Sequence, residues 1–375
     1  MTDVVPAEAF PPGEFLKDEI DARGWTQDEF ARIIGKAPGV VSDIINGKRV
    51  ITPEVAIRIS AAFGTSAQFW LNLDSAYRLY ELSRTDPAPS RIAREAALRE
   101  AFPVRELIKR NWIKDSEDVD VLEARVHRFY GAEKLKYAAR QTGDTPGLTP
   151  IQLAWLHRVK QIADGTEVVP YSERALRKAL EALSALRSAP EEARHVPRLL
   201  LECGVRFVVV EPIMRSSRID GVCFWLAKDK PVIGMTLRRD TIDNFWFVLR
   251  HEIEHVLRRD GETEAIVDSQ LRDTAAGSGT TNPAEVAANG AAEEFCVPRA
   301  ALDNFLARVG TAVSEHRVLL FAKSLGIHPG LVLGQLQFRL NRYNFLTQHL
   351  AKVRDIVLGG AMTDGYGRQL LEAVD

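Results

Sequence analysis

Residues 250–255 read Arg-His-Glu-Ile-Glu-His (RHEIEH), and the organisation of the C-terminal half is inferred from this stretch. His251 and His255 are four residues apart, which on an α-helix puts both imidazoles on one face, one turn from each other. Two neutral imidazoles at this spacing can bind Zn²⁺ at roughly 2.0–2.1 Å each. Glu252, beside them, can take a proton from a metal-bound water. The pattern predicts a zinc site, although another divalent metal could use the same ligands.

An amphipathic helix is predicted around this motif. Apolar residues recur at helical spacing from Ile242 to Leu257, and no proline interrupts them. Asp240 or Thr241 could cap the start of the helix, and Gly261 could end it. A chance HExxH is expected in about one such chain in a hundred, so the motif is informative. A catalytic zinc nevertheless needs a third protein ligand.

The third ligand is predicted on a second helix. Residues 282–298 read NPAEVAANGAAEEFCVP, in which Glu285 and Asn289 are again one helical turn apart. A carboxylate from a helix that faces the first would complete a His-His-Glu site. Asn289 could hydrogen-bond a ligand histidine and fix its tautomer. The stretch between the two helices, residues 268–283, is rich in Gly, Ser and Thr and is interpreted as a mobile loop.

The other potential ligands are less well placed. Three acidic residues lie too near the end of the first helix to reach over the metal: Asp260, Glu262 and Glu264. Cys296 could bind the metal or be a buried thiol, and the thiol is favoured. A lone histidine such as His316, His328 or His349 could stabilise an oxyanion but is more often a surface or core residue.

The composition of the 375-residue chain is typical of globular proteins, with 46% hydrophobic and 27% charged residues. Its formal net charge of -2 gives no overall attraction to nucleic acid or anionic membranes. No apolar run reaches about 18 residues, and the acidic, proline-rich start does not resemble a signal peptide. Three widely spaced cysteines suit buried free thiols in a reducing cytoplasm. We therefore expect a cytoplasmic protein without a membrane partner.

Residues 1–85 are predicted to form a small helical domain. Residues 26–29 (TQDE) are a capping box that would start a second helix, and residues 38–46 would form a third. Thr52, followed by proline, would cap a fourth. Two short helices joined by a tight turn are typical of the helix-turn-helix, which places its second helix in a DNA major groove.

A local basic patch accompanies this predicted motif. Residues 1–85 hold nine Lys and Arg against twelve Asp and Glu, a net of -3, but residues 30–50 hold four basic residues and one acidic, a net of +3. Phosphate binding needs such a patch rather than a basic domain. The predicted DNA contacts are Gln27, Lys36, Ser42, Lys48 and Arg49. A solvated pair at a helix end is the alternative for Lys48 and Arg49.

The N-terminal sequence resembles a known family. INGKR at 45–49, ITPE at 51–54 and FGTS-x-x-FWLN at 63–72 make residues 12–80 similar to the HigA-type XRE helix-turn-helix antitoxins. The resemblance implies a five-helix, lambda-repressor-like fold that binds operator DNA, usually as a homodimer, and often binds a toxin protein. It also implies that Gln27 contacts phosphate.

The middle of the chain, residues 86–192, is predicted to be a helical connector. It begins at the proline-rich DPAPS and shows mostly helical patterns, with no group of residues that indicates a catalytic or metal site. After it, β-rich runs at 205–210, 219–227 and 232–235 predict a small sheet before the HExxH helix. The fold class predicted for the whole chain is therefore α+β, and mostly α.

A second resemblance covers residues 193–340 of a domain predicted to span 193–375. It is carried by RIDGVCFWL, PVIGM, FWFVLRHEIEHVL, the Glu285 and Ala-Asn positions of the second helix, and FAKSLGIHPGLVLGQLQ. These stretches resemble the ImmA/IrrE family of metallopeptidases. The resemblance implies a gluzincin-like fold with a helical C-terminal part, in which the two histidines and Glu285 bind zinc and Glu252 is the general base.

Together, these expectations predict a DNA-binding regulator fused to a zinc-dependent endopeptidase. In the resembled family the usual substrate is a helix-turn-helix repressor, so a partner repressor or the chain's own N-terminal domain would be cleaved in response to a signal. The alternative is a non-enzymatic antitoxin that represses its operon and neutralises a toxin. In that case the metal site would be structural or vestigial.

Overall fold

The computed structural model describes residues 10–85, 88–131, 148–214, 217–269, 271, 282–310 and 313–366. The chain divides into two compact units, Met1–Ala97 and Leu98–Asp375. It is mostly helical with one small open sheet, which confirms the predicted α+β class. In the part of the chain that is described, no helix is both long and apolar enough to cross a membrane.

The N-terminal unit contains a five-helix arrangement: α1 Pro12–Ala22, α2 Gln27–Ile33, α3 Pro38–Ile45, α4 Pro53–Phe63 and α5 Ala67–Thr85. The predicted capping box is present at the start of α2, where Thr26 and Glu29 each accept a hydrogen bond from the other's backbone N–H. Thr52 caps α4 by accepting a bond from the Val55 N–H, as predicted. Local capping chemistry therefore sets where these helices begin.

All five helices contribute to one core in this unit, with fully or almost fully buried side chains such as Leu16, Phe30, Ile44, Ile59 and Trp70. Gly13 brings α1 close to the end of α3, because a Cβ at Gly13 would lie 2.2 Å from the Ile45 carbonyl oxygen. The C-terminal end of α3 is thereby packed against α1. The start of α3, at Pro38 and Gly39, is exposed.

The helices that follow are α6 Ala88–Ala101, α7 Val104–Lys109, α8 Val119–Tyr130, α9 Pro150–Asp164, α10 Glu173–Ala185, α11 Val196–Glu202, α12 Ile242–Arg258, α13 Pro283–Cys296, α14 Arg299–Val309, α15 Glu315–Leu325, α16 Pro329–Leu340 and α17 Arg354–Leu358. Short 3-10 turns lie at Leu186–Ser188, Pro190–His195 and Thr347–His349. The strands are β1 Arg206–Val209, β2 Ile219–Trp225, β3 Pro231–Met235, β4 Ile266–Ser269 and β5 Met362–Thr363.

The five strands form one mixed sheet in the order β4-β2-β3-β1-β5. β1 is parallel to β3 and β5, whereas β2 is antiparallel to β3 and β4. The first three strands were predicted, and β4 and β5 were not. Asp268 lies in β4, so the predicted loop was wrong at its first residues, where pairing with β2 extends the backbone. Residues 270 and 272–281 of that loop lie outside the described residues.

Side chains of the sheet alternate between two cores, as strand geometry requires. On one side, Val208, Val222 and Val232 pack with aromatic residues of α7–α9 and their connections, such as Trp112, Tyr130 and Trp155. On the other side, Phe207, Cys223 and Ile233 pack with α12 and the later helices. Much of the predicted connector is thus one layer of the C-terminal unit. The predicted limits 1–85, 86–192 and 193–375 stay predictions beside the two observed units.

Helix α12 is the most buried element of this unit. From Ile242 to Leu257 its side chains are buried except for Arg250 and Glu254, which pair with each other at 2.8 Å. Such burial on nearly every face explains why the apolar stripe is so wide. The helix therefore holds the HExxH residues inside the protein, between the sheet and the helices α13 and α16.

The ends of α12 differ from the predicted caps. Thr241 occupies the N-cap position without a side-chain bond, and Asp240 instead accepts bonds from the backbone N–H groups of Val353 and Arg354. The helix ends at Arg258, with Arg259 left-handed at φ 60°. Gly261 does not terminate the helix. It allows close packing on β2, since a Cβ there would lie 2.7 Å from the Cys223 carbonyl oxygen.

Candidate metal centre and nucleic-acid interface

The predicted helix brings His251 and His255 together. Both side chains are fully buried, and their Nε2 atoms are 3.1 Å apart. The spacing of four residues places the rings one above the other on α12, with their planes 72° apart. The two Nε2 atoms therefore face a common point.

Glu285 lies at the same point, carried by the first turn of α13. Its Oε2 atom is 3.4 Å from His251 Nε2, and its Oε1 atom is 3.5 Å from His255 Nε2. Asn282 caps α13 by accepting a bond from the Ala284 N–H, which fixes the start of the helix. The structure thus places Glu285 where the sequence pattern predicted a third donor.

Each histidine has an oxygen acceptor on its other ring nitrogen. His251 Nδ1 is 3.1 Å from Asn289 Oδ1, the contact that the spacing in α13 predicted. His255 Nδ1 is 3.0 Å from Asp260 Oδ2, a contact that the sequence did not predict. An acceptor at Nδ1 favours the tautomer with its proton there and leaves the Nε2 lone pair for a metal.

Asp268 is a further residue of this cluster, and the sequence interpretation missed it. Its Oδ2 atom is 3.4 Å from His251 Nε2 and 3.9 Å from His255 Nε2. β4 carries it, and its cross-strand partner is Gly221 of β2. The adjacent β-branched residues Ile266 and Val267 are the sequence signal that favours a strand here.

The residues present fit a zinc ion. A tetrahedral zinc with bonds of 2.0–2.1 Å has donor atoms roughly 3.3–3.4 Å apart. The observed separations of the two histidine Nε2 atoms from each other and from the carboxylate oxygens of Asp268 and Glu285 are 3.1, 3.4, 3.4, 3.5 and 3.9 Å. One donor atom from each of His251, His255, Asp268 and Glu285 lies within 4.8 Å of every other. Imidazole nitrogens with carboxylate oxygens are donors that zinc accepts.

The electrostatics at this point favour a cation. Burial alone would lower the pKa of His251, but hydrogen bonding and charge from Asp268 and Glu285 outweigh it and raise that pKa to about 9. The two carboxylates thus stabilise positive charge close to the Nε2 atoms. A divalent metal ion would meet the same favourable field.

Glu252 is fully buried beside the cluster, and neither of its carboxylate oxygens has a hydrogen-bond partner among the described residues. Burial, and then the negative charge of Asp268, raise the pKa of Glu252 well above its usual value. Gly221 provides the space for this carboxylate, because a Cβ at Gly221 would lie 2.0 Å from Glu252 Oε1. A buried polar atom without a partner needs an explanation, and a catalytic role is one that suits a carboxylate beside these histidines.

Gly221→Ala is expected to lower the free energy of unfolding of the full chain by about 1–3 kcal/mol, the usual cost of overpacking. The backbone of Gly221 is not in the left-handed region, so the clash with Glu252 is the cause. Chemical denaturation measures the loss. Gly290→Ala on α13 is the matched control, since its Cβ would meet nothing within 4 Å.

The coupling between these two residues provides a second test. In a Glu252→Ala background the carboxylate is absent, so adding Gly221→Ala should lower the free energy of unfolding much less than Gly221→Ala does in the wild-type chain. Strictly additive effects of the two substitutions would show that Gly221 does not make room for Glu252.

The other candidate ligands lie elsewhere. Cys296 is a buried free thiol, as are Cys203 and Cys223, which confirms the prediction for the cysteines. His328 caps α16 by accepting a bond from the Gly330 N–H. His349 pairs with Glu315. These histidines therefore have structural contacts of their own.

In the N-terminal unit, the predicted DNA contacts lie on or beside α2 and α3. Gln27 is the first residue of α2, Lys36 lies in the turn, and Ser42 is on α3. Lys48 and Arg49 follow α3 and are exposed. Their roles as DNA contacts stay predictions.

Three of these side chains have partners within the unit, and one of them is Arg49, whose Nε atom is 4.0 Å from Asp43 Oδ2. Lys36 Nζ donates to Glu54 Oε1 at 2.8 Å, and this pairing lowers the pKa of Glu54. Ser42 accepts hydrogen bonds from the side chain of Asn46 at both its backbone oxygen and its hydroxyl. Lys48 forms no ion pair with any residue that the structure describes. Among these positions Lys48 is thus the cation most readily available to phosphate.

Comparison with known proteins finds similarity in the N-terminal unit. Residues 16–70 match the helix-turn-helix family HTH_3. The HTH-type transcriptional regulator YddM of Escherichia coli (strain K12) is 39% identical over 74 residues, which are 20% of this chain and 79% of that protein. The antitoxin HigA-1 of Vibrio cholerae is 40% identical over 70 residues, 18% of this chain and 66% of that protein.

Solved structures are also similar to part of this chain. One is the Pseudomonas aeruginosa antitoxin HigA with the higBA promoter, which is 34% identical and aligns with 22% of this chain and 90% of its own, with a TM-score of 0.21.

Proposed function

The chain belongs, through its N-terminal unit, to the helix-turn-helix family of transcriptional regulators, and we propose that its C-terminal unit is a zinc-dependent endopeptidase. A single observation carries this proposal. Two buried imidazoles and the carboxylate of Glu285 converge on one point, and beside them lies the carboxylate of Glu252, which has no hydrogen-bond partner among the described residues. The structural fit to a zinc ion and the HExxH sequence both support it.

His251, His255 and Glu285 would hold the metal in this proposal. Bound zinc would supply Lewis acidity, polarising the scissile carbonyl. Glu252 would accept a proton from the attacking water and then deliver it to the leaving amine. Asn289 and Asp260 would orient the two histidines through their Nδ1 atoms.

We propose that the N-terminal unit binds a palindromic operator as a homodimer, because one helix-turn-helix contacts too little DNA for high affinity. The full-length regulator would act in the cytoplasm. Its peptidase substrate would be a helix-turn-helix repressor or its own N-terminal unit, cleaved in response to a signal. Co-expressing a candidate repressor with the wild-type chain or with Glu252→Gln tests this: cleavage should require Glu252.

A second candidate function is that of an antitoxin without enzymatic activity. The observation that favours it is the 40% identity to the antitoxin HigA-1 of Vibrio cholerae. In that case the chain would repress its operon and neutralise a toxin, and the metal would be structural. If the neighbouring gene encodes a growth-arresting protein, rescue of growth by wild type and Glu252→Gln alike would support this function.

Lys48→Ala in the full chain is expected to weaken binding to every DNA sequence and to reduce the salt slope of the binding constant by about one, because one phosphate contact is lost. Lys36→Ala is the matched comparison. Lys36→Ala should weaken DNA binding less than Lys48→Ala does, because Lys36 already pairs with Glu54 and must exchange that partner for phosphate. Titrations at several salt concentrations measure both slopes.

The same titrations can contradict the proposal. An unchanged slope for Lys48→Ala would remove Lys48 from the interface. A chain that selects no sequence from random DNA would not act at a specific operator.

A further inference from the structure

We propose that Asp268 is a fourth protein ligand that closes the metal centre. This inference rests on the proposed function, since it concerns the same zinc site. The sequence motif provides only two histidines and Glu285 as donors. The structure adds a carboxylate oxygen at 3.4 Å from His251 Nε2, about one tetrahedral edge away.

The burial of Asp268 needs a cationic partner. Its exposed fraction is 6%, and its Oδ2 atom faces His251 Nε2 at 3.4 Å, an ion-pair distance, without a well-formed hydrogen bond to any residue described. A buried carboxylate is costly unless it lies opposite a cation or a metal. Oδ2 is the atom that faces both Nε2 atoms, so a metal bound by the histidines would also meet Asp268.

The neighbouring strand holds Asp268 in this position. Gly221 and Asp268 are paired across β2 and β4, and a bulge lies next to this pair between Ile219 and Gly221. Asp220, at the bulge, accepts a bond from the Leu271 N–H at 2.9 Å and is itself held by Arg238. The pairing with β2 and the bond from the Leu271 N–H therefore place Asp268 beside the histidines.

The four donors differ in how firmly the fold holds them. The histidines belong to the buried helix α12, and Glu285 belongs to the 14-residue helix α13. Asp268 belongs to a four-residue strand at the edge of the sheet, and in the described part of the chain this strand pairs with β2 alone. Edge pairing is the least costly of these contacts to break. Asp268 is thus the donor that can leave while the other three remain.

This arrangement has a consequence for catalysis. Zinc bound by four protein ligands is typical of structural sites, whereas catalytic zinc keeps one position open for water or substrate. With Asp268 bound, the centre has no such position. Hydrolysis would begin only after Asp268 withdraws, so the chain would hold its peptidase inactive until a signal displaces the edge strand.

Zinc affinity is the first test, measured on the full chain by competition with a chelator. Asp268→Ala is expected to bind zinc at least about tenfold more weakly, since even outer-shell partners are worth about 10–100-fold. Asp268→Asn keeps the shape of the side chain and should also bind zinc more weakly than wild type. Because this variant creates no cavity, its weaker binding would not be due to a folding defect. Glu262→Gln is the matched control, because Glu262 is an exposed acid after α12 that pairs with Arg259.

Access to the metal is the second test. With Co²⁺ bound, the visible spectrum of the wild-type chain should be unchanged by acetohydroxamate, a small chelating ligand, because no position is open. The spectrum of Asp268→Ala should change on the same addition. Equal responses of the two proteins, or equal zinc affinities, would overturn the role of Asp268.

Different results would contradict the metal centre and the role of Asp268 as its fourth ligand. A wild-type chain that binds no zinc would remove the metal centre itself, and with it this inference. Weak zinc binding by Glu285→Ala together with unchanged binding by Asp268→Ala would keep the centre and reject only the fourth ligand.

Discussion

Glu252→Gln is expected to reduce peptide hydrolysis by about 10²–10⁴-fold, the usual contribution of a general base, while zinc and DNA binding stay unchanged. Glu252 is next to His251, yet its oxygens make no hydrogen bond with the described residues, so its carboxylate is available for proton transfer. Glutamine has nearly the same volume, and the space beside Gly221 would hold it. The substitution therefore removes the base without creating a cavity.

Under the stress that activates the peptidase, cleavage of a co-expressed helix-turn-helix repressor, or of the chain itself, measures the effect by mass spectrometry of the new termini. Glu254→Gln is the matched control from the same motif, because glutamine can still accept the bond from Arg250. It should cleave as wild type does. In cells that carry the native operator, Glu252→Gln should hold the regulated promoter in one state under stress. The same products and promoter response in wild type and Glu252→Gln would contradict the base role.

Glu285→Ala is expected to weaken zinc binding by more than about 100-fold. The reason is the loss of a direct donor whose oxygens lie 3.4 and 3.5 Å from the two Nε2 atoms, a larger loss than that of an outer-shell partner. Asn289→Ala should have an intermediate effect of about 10–100-fold, since Asn289 acts through His251. Chelator competition on the three full-length proteins gives this order.

Glu293→Ala is the control for Glu285→Ala, because it also removes a carboxylate from α13. The Glu293 carboxylate pairs with Arg299 at the protein surface. The zinc affinity of Glu293→Ala should equal that of wild type. If Glu285→Ala keeps the wild-type affinity and stoichiometry, Glu285 is not a ligand, and the third donor must come from another residue.

Local patterns predicted much of this structure. The capping box at Thr26 and the cap at Thr52 depend on residues within one turn, so the starts of α2 and α4 followed directly from sequence. The helix α12 was also predictable, because its apolar residues recur at helical spacing without interruption. That His251 and His255 lie on one face of α12 follows from helical periodicity alone.

Contacts between distant segments could not be predicted in this way. β4 and β5 have four and two residues, too few for a reliable alternation pattern, and their pairing depends on β2 and β1. Asp268 therefore appeared to lie in a loop, although β2 places it beside the histidines. The helices α7–α9 were recognised, but their sequences do not reveal that they cover the sheet.

Zinc content of the full-length wild-type chain is the most direct test of the proposed centre. The protein would be loaded with zinc, dialysed without chelator and measured by elemental analysis against protein concentration. One tightly bound zinc ion per chain is expected, because the buried donors around His251 and His255 converge on one point. A wild-type chain that retains no zinc after dialysis would contradict it.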